Sequence, residues 1–284
     1  MASNSELQSR KDSSWLGGFT NLLGKENRRW WGTRYWLIQL IIWMLIINGL
    51  TFFIYKSPVE EMYGSSSADS SEADQATLQM VKQHPELVGL VPYMRLAGMG
   101  MVIGVLVIAQ GIIIAEKQSG TAAWVLSKPV SRSAFVLSKL AGYGLGILGV
   151  MCVLVGAALY GQIWLTTGVS IPLLRYAGML GLVFLDLLFY LTLSIMLGTI
   201  FNSRGALIGI PLILLFAYMI LPNLPSWLAK IMPWNLLDNL TQPALALSVV
   251  EGQPIQSIAP LVATVLWCVL FTGIAIWRFH REEF

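Results

Sequence analysis

Six apolar runs, each near the length of a membrane crossing, constrain this chain more than any other feature. They fall at about 35–55, 96–115, 135–159, 177–200, 205–221 and 258–277. Hydrocarbon offers backbone N–H and C=O groups no partner, so a run of roughly 20 apolar residues is expected to bond internally as a helix. The fifth run is the shortest and holds Pro211, whose missing donor predicts a kink. Charged residues are 12% of the chain and hydrophobic ones 56%, whereas soluble domains carry about 25% charged residues. The fold class read from this is all-α and polytopic. A cytoplasmic N-terminus (1–34) precedes a six-helix transmembrane domain (35–278) and a short cytoplasmic tail (279–284).

Lys and Arg set the orientation, because basic loops are retained in the cytoplasm. With six crossings, both termini share a side with the second and fourth loops. That side holds Arg10, Lys11, Lys25, Arg28, Arg29, Arg34, Lys117, Lys128, Arg132, Lys139, Arg204, Arg278 and Arg281, whereas the other holds Lys56, Lys82, Arg95, Arg175 and Lys230. Both termini are therefore expected to be cytoplasmic, in the plasma membrane of a prokaryotic cell. The first 34 residues are polar or amphipathic, so the first run reads as an uncleaved span and not as a signal peptide. The net charge of +3 is small, and no nucleic-acid partner is expected.

The segments outside the runs differ in kind. Trp15, Phe19, Leu22, Leu23 and Trp30 recur at helical spacing with Lys25, Arg28 and Arg29 between them, the pattern of a helix lying in the membrane interface in contact with lipid. Gly17 and Gly18 weaken its start. The first outer connection (56–93) is long and Ser-rich, with a short helix expected near 77–82. The last one (222–257) mixes prolines with Trp227 and Trp234 and reads as short interfacial or re-entrant helices.

Catalytic constellations are missing. The two histidines, His84 and His280, sit in a loop and a tail, and Cys152 and Cys268 lie inside apolar runs as buried thiols. No metal site and no catalytic residue is expected. Gly24-Lys25 resembles a phosphate-binding loop only in part, since Glu26 stands where Ser or Thr is required; the chain carries no ATP site of that kind. Gly142 and Gly146, like Gly100 and Gly104, read as small faces for close helix packing. Asp186 is the one acid deep in a span, with Tyr190 one turn on. A carboxylate there costs about 2.5–3.5 kcal/mol on insertion scales. It either bonds to a neighbouring helix or serves the passage of substrate or protons.

The second loop (116–133) carries most of the remaining information. It reads Glu116-Lys117-Gln118-Ser119-Gly120-Thr121-Ala122-Ala123-Trp124-Val125-Leu126-Ser127-Lys128-Pro129-Val130-Ser131-Arg132. Thr121 is placed as the N-cap of a helix of about two turns, which Pro129 ends. Ala122, Trp124, Val125 and Leu126 then form an apolar knob in a basic loop, to be covered by lipid headgroups or by a groove on a partner.

The run Glu-x-x-x-Gly-Thr, a short apolar stretch and Lys-Pro-Val-Ser-Arg resembles the first cytoplasmic loop of type-2 ABC exporter permeases. The N-terminal helix, the six runs, the hydrophobic outer segment before the last of them and the ending Arg278-Phe279-His280-Arg281-Glu282-Glu283-Phe284 extend the likeness along the chain. The resemblance implies that the loop is a coupling helix seated in a separate cytoplasmic ATPase subunit. Gly120, Thr121, Trp124 and Leu126 would make the contact, while Glu116, Pro129 and Arg132 shape the helix ends. It implies ATP and Mg on that partner and no cofactor on this chain. A second permease copy or paralogue and membrane lipid complete the expected partners. An ATP-independent secondary transporter or channel is the alternative; it predicts inverted repeats or several buried charges, of which one kinked span and one acid are found.

Overall fold

A computed structural model describes residues 15–56, 83–128, 130–220, 225–238 and 244–282. Among them every regular element is a helix, and five helices are long and apolar enough to cross a membrane. The chain is an all-α polytopic membrane protein. We name the helices in order: α1 Phe19–Trp31, α2 Tyr35–Lys56, α3 Leu87–Gln118, α4 Thr121–Leu126, α5 Arg132–Thr167, α6 Leu173–Ile200, α7 Arg204–Ile220, α8 Ser226–Ile231, α9 Trp234–Leu237, α10 Leu245–Glu251 and α11 Ala259–His280.

The helices overrun the apolar runs. α3 begins at Leu87, inside the stretch expected to be a loop, because Leu87, Leu90, Tyr93 and Met94 form a buried helical face. The helix runs through Pro92, its sixth residue, with one backbone donor fewer than an unbroken helix would have. α5 spans 36 residues, about 54 Å at 1.5 Å per residue, and so extends well past a hydrocarbon core of about 30 Å. α7 has 17 residues and runs through Pro211, at the short end for a crossing. The expected helix near 77–82 and most of the first outer connection lie outside the described residues.

Burial grades the bundle from centre to rim. The apolar window of α6 is 72% buried, against 28% for α11 and 17% for α2. α6 is therefore the axial helix, packed by α11, α3 and the short helices α9 and α10. Leu236, Leu237, Leu245 and Ala246 of those short helices are buried, and Trp267 Nε1 donates to the Ile231 carbonyl at 3.0 Å. α2 and α11 present Leu45, Phe53, Leu266 and Val269 outward, faces suited to lipid or to a further protein surface.

α1 runs in parallel register along the first half of α5. A Cβ at Gly142 would stand 2.6 Å from Glu26 Cβ, one at Gly146 would stand 2.4 Å from the Trp30 ring, and one at Gly149 would stand 2.9 Å from Trp31. The small residues admit α1 to backbone distance, as the small-face reading anticipates. Gly104 does the same for Trp43 of α2, but Gly100 faces nothing within 4 Å; at that position the packing expectation is wrong. The ring of Trp30 is correspondingly fully buried between Tyr35 and Tyr143. It enters the protein and not the lipid, which corrects the picture of an interfacial helix resting on acyl chains alone.

Gly146→Ala is expected to lower stability by about 1–3 kcal/mol, the usual effect of overpacking, since the new methyl overlaps the indole. Gly100→Ala, which meets open space, should be neutral or slightly stabilising. Thermal unfolding of the two detergent-purified variants checks this; equal midpoints would mean that α1 does not pack at this seam.

Candidate functional site: the loop between the second and third long helices

The basic end of the bundle gathers α1, the end of α3, the start of α5 and the end of α11 around α4. Its deepest element is an ion cluster. Lys139 lies within the apolar run of α5 and its side chain is 1% exposed. A buried ammonium group is tolerated only where carboxylates meet it. Here Lys139 Nζ lies 2.9 Å from Glu26 Oε1 of α1 and 2.9 Å from Glu116 Oε2 of α3. Lys25 Nζ donates to the other oxygen, Glu116 Oε1, at 3.0 Å. Two lysines and two glutamates thus form a neutral quartet joining three helices, with the Phe135 ring 4.9 Å from the Lys139 ammonium.

Arg132 provides a second anchor. Its Nη1 donates to the carbonyls of Phe279 and His280, each at 3.0 Å, and to that of Glu282. The first two are the last carbonyls of α11, which have no partner within the helix and favour a cation, and the third lies just past its end. Phe135 stacks on Phe279 with centroids 4.9 Å apart. Ser133 Oγ lies 3.0 Å from His280 Nε2, and Lys117 pairs with Glu282. One foot of the loop is therefore tied to α1 and α5, and the other to α11.

Between these feet stands α4. Gly120 adopts φ +69°, with open space where a Cβ would stand, a left-handed conformation that glycine enters without penalty. Its carbonyl accepts from Trp124 N at 3.1 Å. The cap position thus belongs to Gly120, whereas Thr121, expected there, is the first helical residue and its Oγ1 lies 2.8 Å from Ser119 Oγ. Val125 is buried against the bundle, but Trp124 is 62% exposed. Lys128 Nζ sits 3.6 Å from the centroid of the Trp124 ring, close enough for a cation–π contact. Ser127 Oγ donates to the Trp124 carbonyl at 2.7 Å.

The returning strand of the loop is bound to the entry of α1. Ser131 N donates to the Gly17 carbonyl at 2.9 Å, and Ser131 Oγ donates to the Trp15 carbonyl at 2.6 Å while accepting from Ala134 N at 3.0 Å. Ser131 is thus both the N-cap of α5 and a tie to α1. At Gly18, φ +79°, an added Cβ would meet Val130 at 2.9 Å.

Of the seven loop residues singled out in the sequence, Gly120, Thr121 and Trp124 lie on the free side of this end. Glu116 and Arg132 point inward and hold the feet. Leu126 belongs to α4, but its side chain and the whole of Pro129 lie outside the described residues. Glu26 and Lys139 were missed, although a lysine within an apolar run is itself a signal that a buried acid must exist. Asp186 and Tyr190 belong to a different place. They line a cavity of about 20 Å³ near the middle of α6, with Met94, Arg95, Trp234 and Asp238. Such a volume admits one water. Asp186 is 4% exposed and its Oδ2 has no hydrogen-bond partner among the described residues.

Lys139→Met would leave Glu26 and Glu116 facing one another with only Lys25 nearby. Breaking a buried pair from one side costs about 3–5 kcal/mol, so this variant should unfold at markedly lower denaturant. Glu26→Gln combined with Lys139→Met should recover more than half of that loss. Denaturant titration of the four members of the cycle measures the coupling; additive losses would show that the two groups do not interact.

Two comparisons with known proteins bear on this arrangement. The family model described as ABC-2 family transporter protein matches residues 21–284, from within α1 to the last residue. A Bacillus subtilis (strain 168) protein, the uncharacterized transmembrane protein YxlG, is 26% identical over 258 residues, which cover 87% of this chain and 93% of the relative.

Proposed function

Because this chain belongs to the ABC-2 family of transporter proteins, we propose that it is the membrane permease subunit of an ATP-driven exporter and that its α4 loop docks a separate cytoplasmic ATPase. The observation that carries this reading is Trp124. A large aromatic side chain, 62% exposed, stands on a six-residue helix whose two feet are fastened into four other helices. Exposed aromatics on rigid supports are what protein interfaces use as anchors. ATP and Mg would be bound by the partner, and no cofactor by this chain.

In this reading the loop end is cytoplasmic, as the concentration of Lys and Arg there supports, and both termini lie on that side of a prokaryotic plasma membrane. Six crossings follow if α7 spans as well as the five longer helices. Two such chains, alike or paralogous, would enclose the path. Closure of the ATPase pair would push on α4, and the anchors at Glu116 and Arg132 would carry the displacement into α1, α3, α5 and α11. The equilibrium between inward-open and outward-open bundles shifts only as far as the ATP-bound partner favours one of them. Asp186 and its one-water cavity lie in the same moving bundle, and either a structural bond or a place on the path fits them.

Trp124→Glu is expected to weaken ATPase binding by roughly 30-fold or more, about 2 kcal/mol, while leaving the permease folded, because the replaced ring is exposed. Co-expression and co-purification with a candidate ABC ATPase, together with the unfolding midpoint of the permease alone, test this. Undiminished binding and ATP turnover in the variant, or substrate movement by the chain with no ATPase present, would remove the basis of the proposal.

A further inference from the structure

The face of α1 turned away from α5 forms a shallow groove lined by Thr20, Asn21, Gly24, Lys25, Arg28, Arg29 and Thr33. Three of these seven are cations and none is an acid. Glu26, the one acid on α1, faces the opposite way and is committed to Lys139. The quartet beneath is neutral, so it does not balance the charge of Arg28 and Arg29, neither of which has an ion-pair partner among the described residues. Lys25 uses one contact on Glu116 and, with about half of its side chain exposed, keeps donors for a second partner.

The depth of the groove identifies what lies beside it. Thr33 is two residues from the start of α2, whose apolar window is 17% buried and whose Leu37, Ile38, Ile41 and Ile42 are exposed; that surface suits hydrocarbon. Trp31, 44% exposed, follows Arg29 by two residues and packs beside Trp36 at 6.1 Å between centroids. A half-exposed indole at the foot of a lipid-facing helix marks the headgroup layer. The cations of the groove therefore stand where phospholipid phosphates lie.

We propose that this groove binds the phosphate of an anionic phospholipid. Arg28 and Arg29 supply forked donors suited to phosphate oxygens, Lys25 a compact charge, and Thr20 and Asn21 neutral hydrogen bonds. A zwitterionic lipid would bring its own ammonium group towards three cations, so the groove selects for net negative charge. Lys25 then touches both the lipid and Glu116 at the foot of the loop. That link makes lipid a modulator of coupling, a consequence that rests on the proposed ATPase docking, whereas lipid binding itself does not.

The test uses the full chain alone in non-ionic detergent, with phosphatidylglycerol and phosphatidylcholine as probes and retained lipid read by native mass spectrometry. The wild type should retain phosphatidylglycerol over phosphatidylcholine by about tenfold or more, given the pull of three cations near an anionic surface. Arg28→Gln with Arg29→Gln should abolish that preference. Arg28→Lys with Arg29→Lys should keep most of it, and Lys230→Gln, far from the groove, all of it. Equal retention of the two lipids, or an unchanged preference in the Gln variant, would overturn the proposal. So would displacement of the lipid by millimolar inorganic phosphate, which would mark a free-anion site. A Gln variant that keeps its lipid preference but no longer co-purifies with the ATPase would show that the groove faces protein, and would also overturn it. Because binding is read without ATPase, failure here leaves the docking of α4 to be judged separately.

Discussion

A lysine four residues into an apolar run cannot keep its charge unless carboxylates come to it, and at Lys139 both arrive from other helices. Glu26 comes from α1 and Glu116 from α3, each 2.9 Å from the same ammonium. Removing a carboxylate strands Lys139 away from water, and removing Lys139 strands Glu26. The quartet therefore does more than join neighbours: it fixes the height of α1 against α5 and the place where α3 must end. The loop begins three residues later at Ser119, so the position of α4 follows from where these four charges balance. Arg132 plays the matching part on the other foot, by holding the loose carbonyls at the end of α11.

The membrane class was legible because its cause is solvent-wide. Long apolar runs have one stable backbone solution in lipid, and the five longest helices coincide with five of the six runs. The extent of the helices was less legible. Leu87–Tyr93 reads as loop by hydropathy, yet it is helical because its neighbours bury one face of it. Hydropathy records what lipid accepts, whereas helix ends are decided by protein contacts. The same limit applies in the loop. Residue types at 120–126 indicated a short helix with an exposed indole, but which groups hold its feet depends on partners up to 150 positions away. Lys139 was counted only as one more cytoplasmic charge, although its position within an apolar run demanded a carboxylate.

Exposure adds what neither pattern nor composition contains. α2 and α6 have nearly equal mean hydropathy, 2.3 and 2.2, yet 17% of one window and 72% of the other is buried. In water such an exposed apolar face would signal a missing partner; in lipid it signals a rim. The difference places α6, with Asp186, on the axis. It also places α2 where its first residues mark the lipid boundary, next to the cations of α1.

The glycines at 142, 146 and 149 have a mechanical corollary. Meshed with Glu26, Trp30 and Trp31 so closely that no Cβ would fit between, they act like teeth in a rack: α1 cannot slip along α5 by a fraction of a turn without collision. The three residues from Gly32 to Arg34 then form a short crank between α1 and α2. A tilt begun at the base of α5 would thereby be geared to the outermost helix of the bundle, with one brief turn of chain as its hinge.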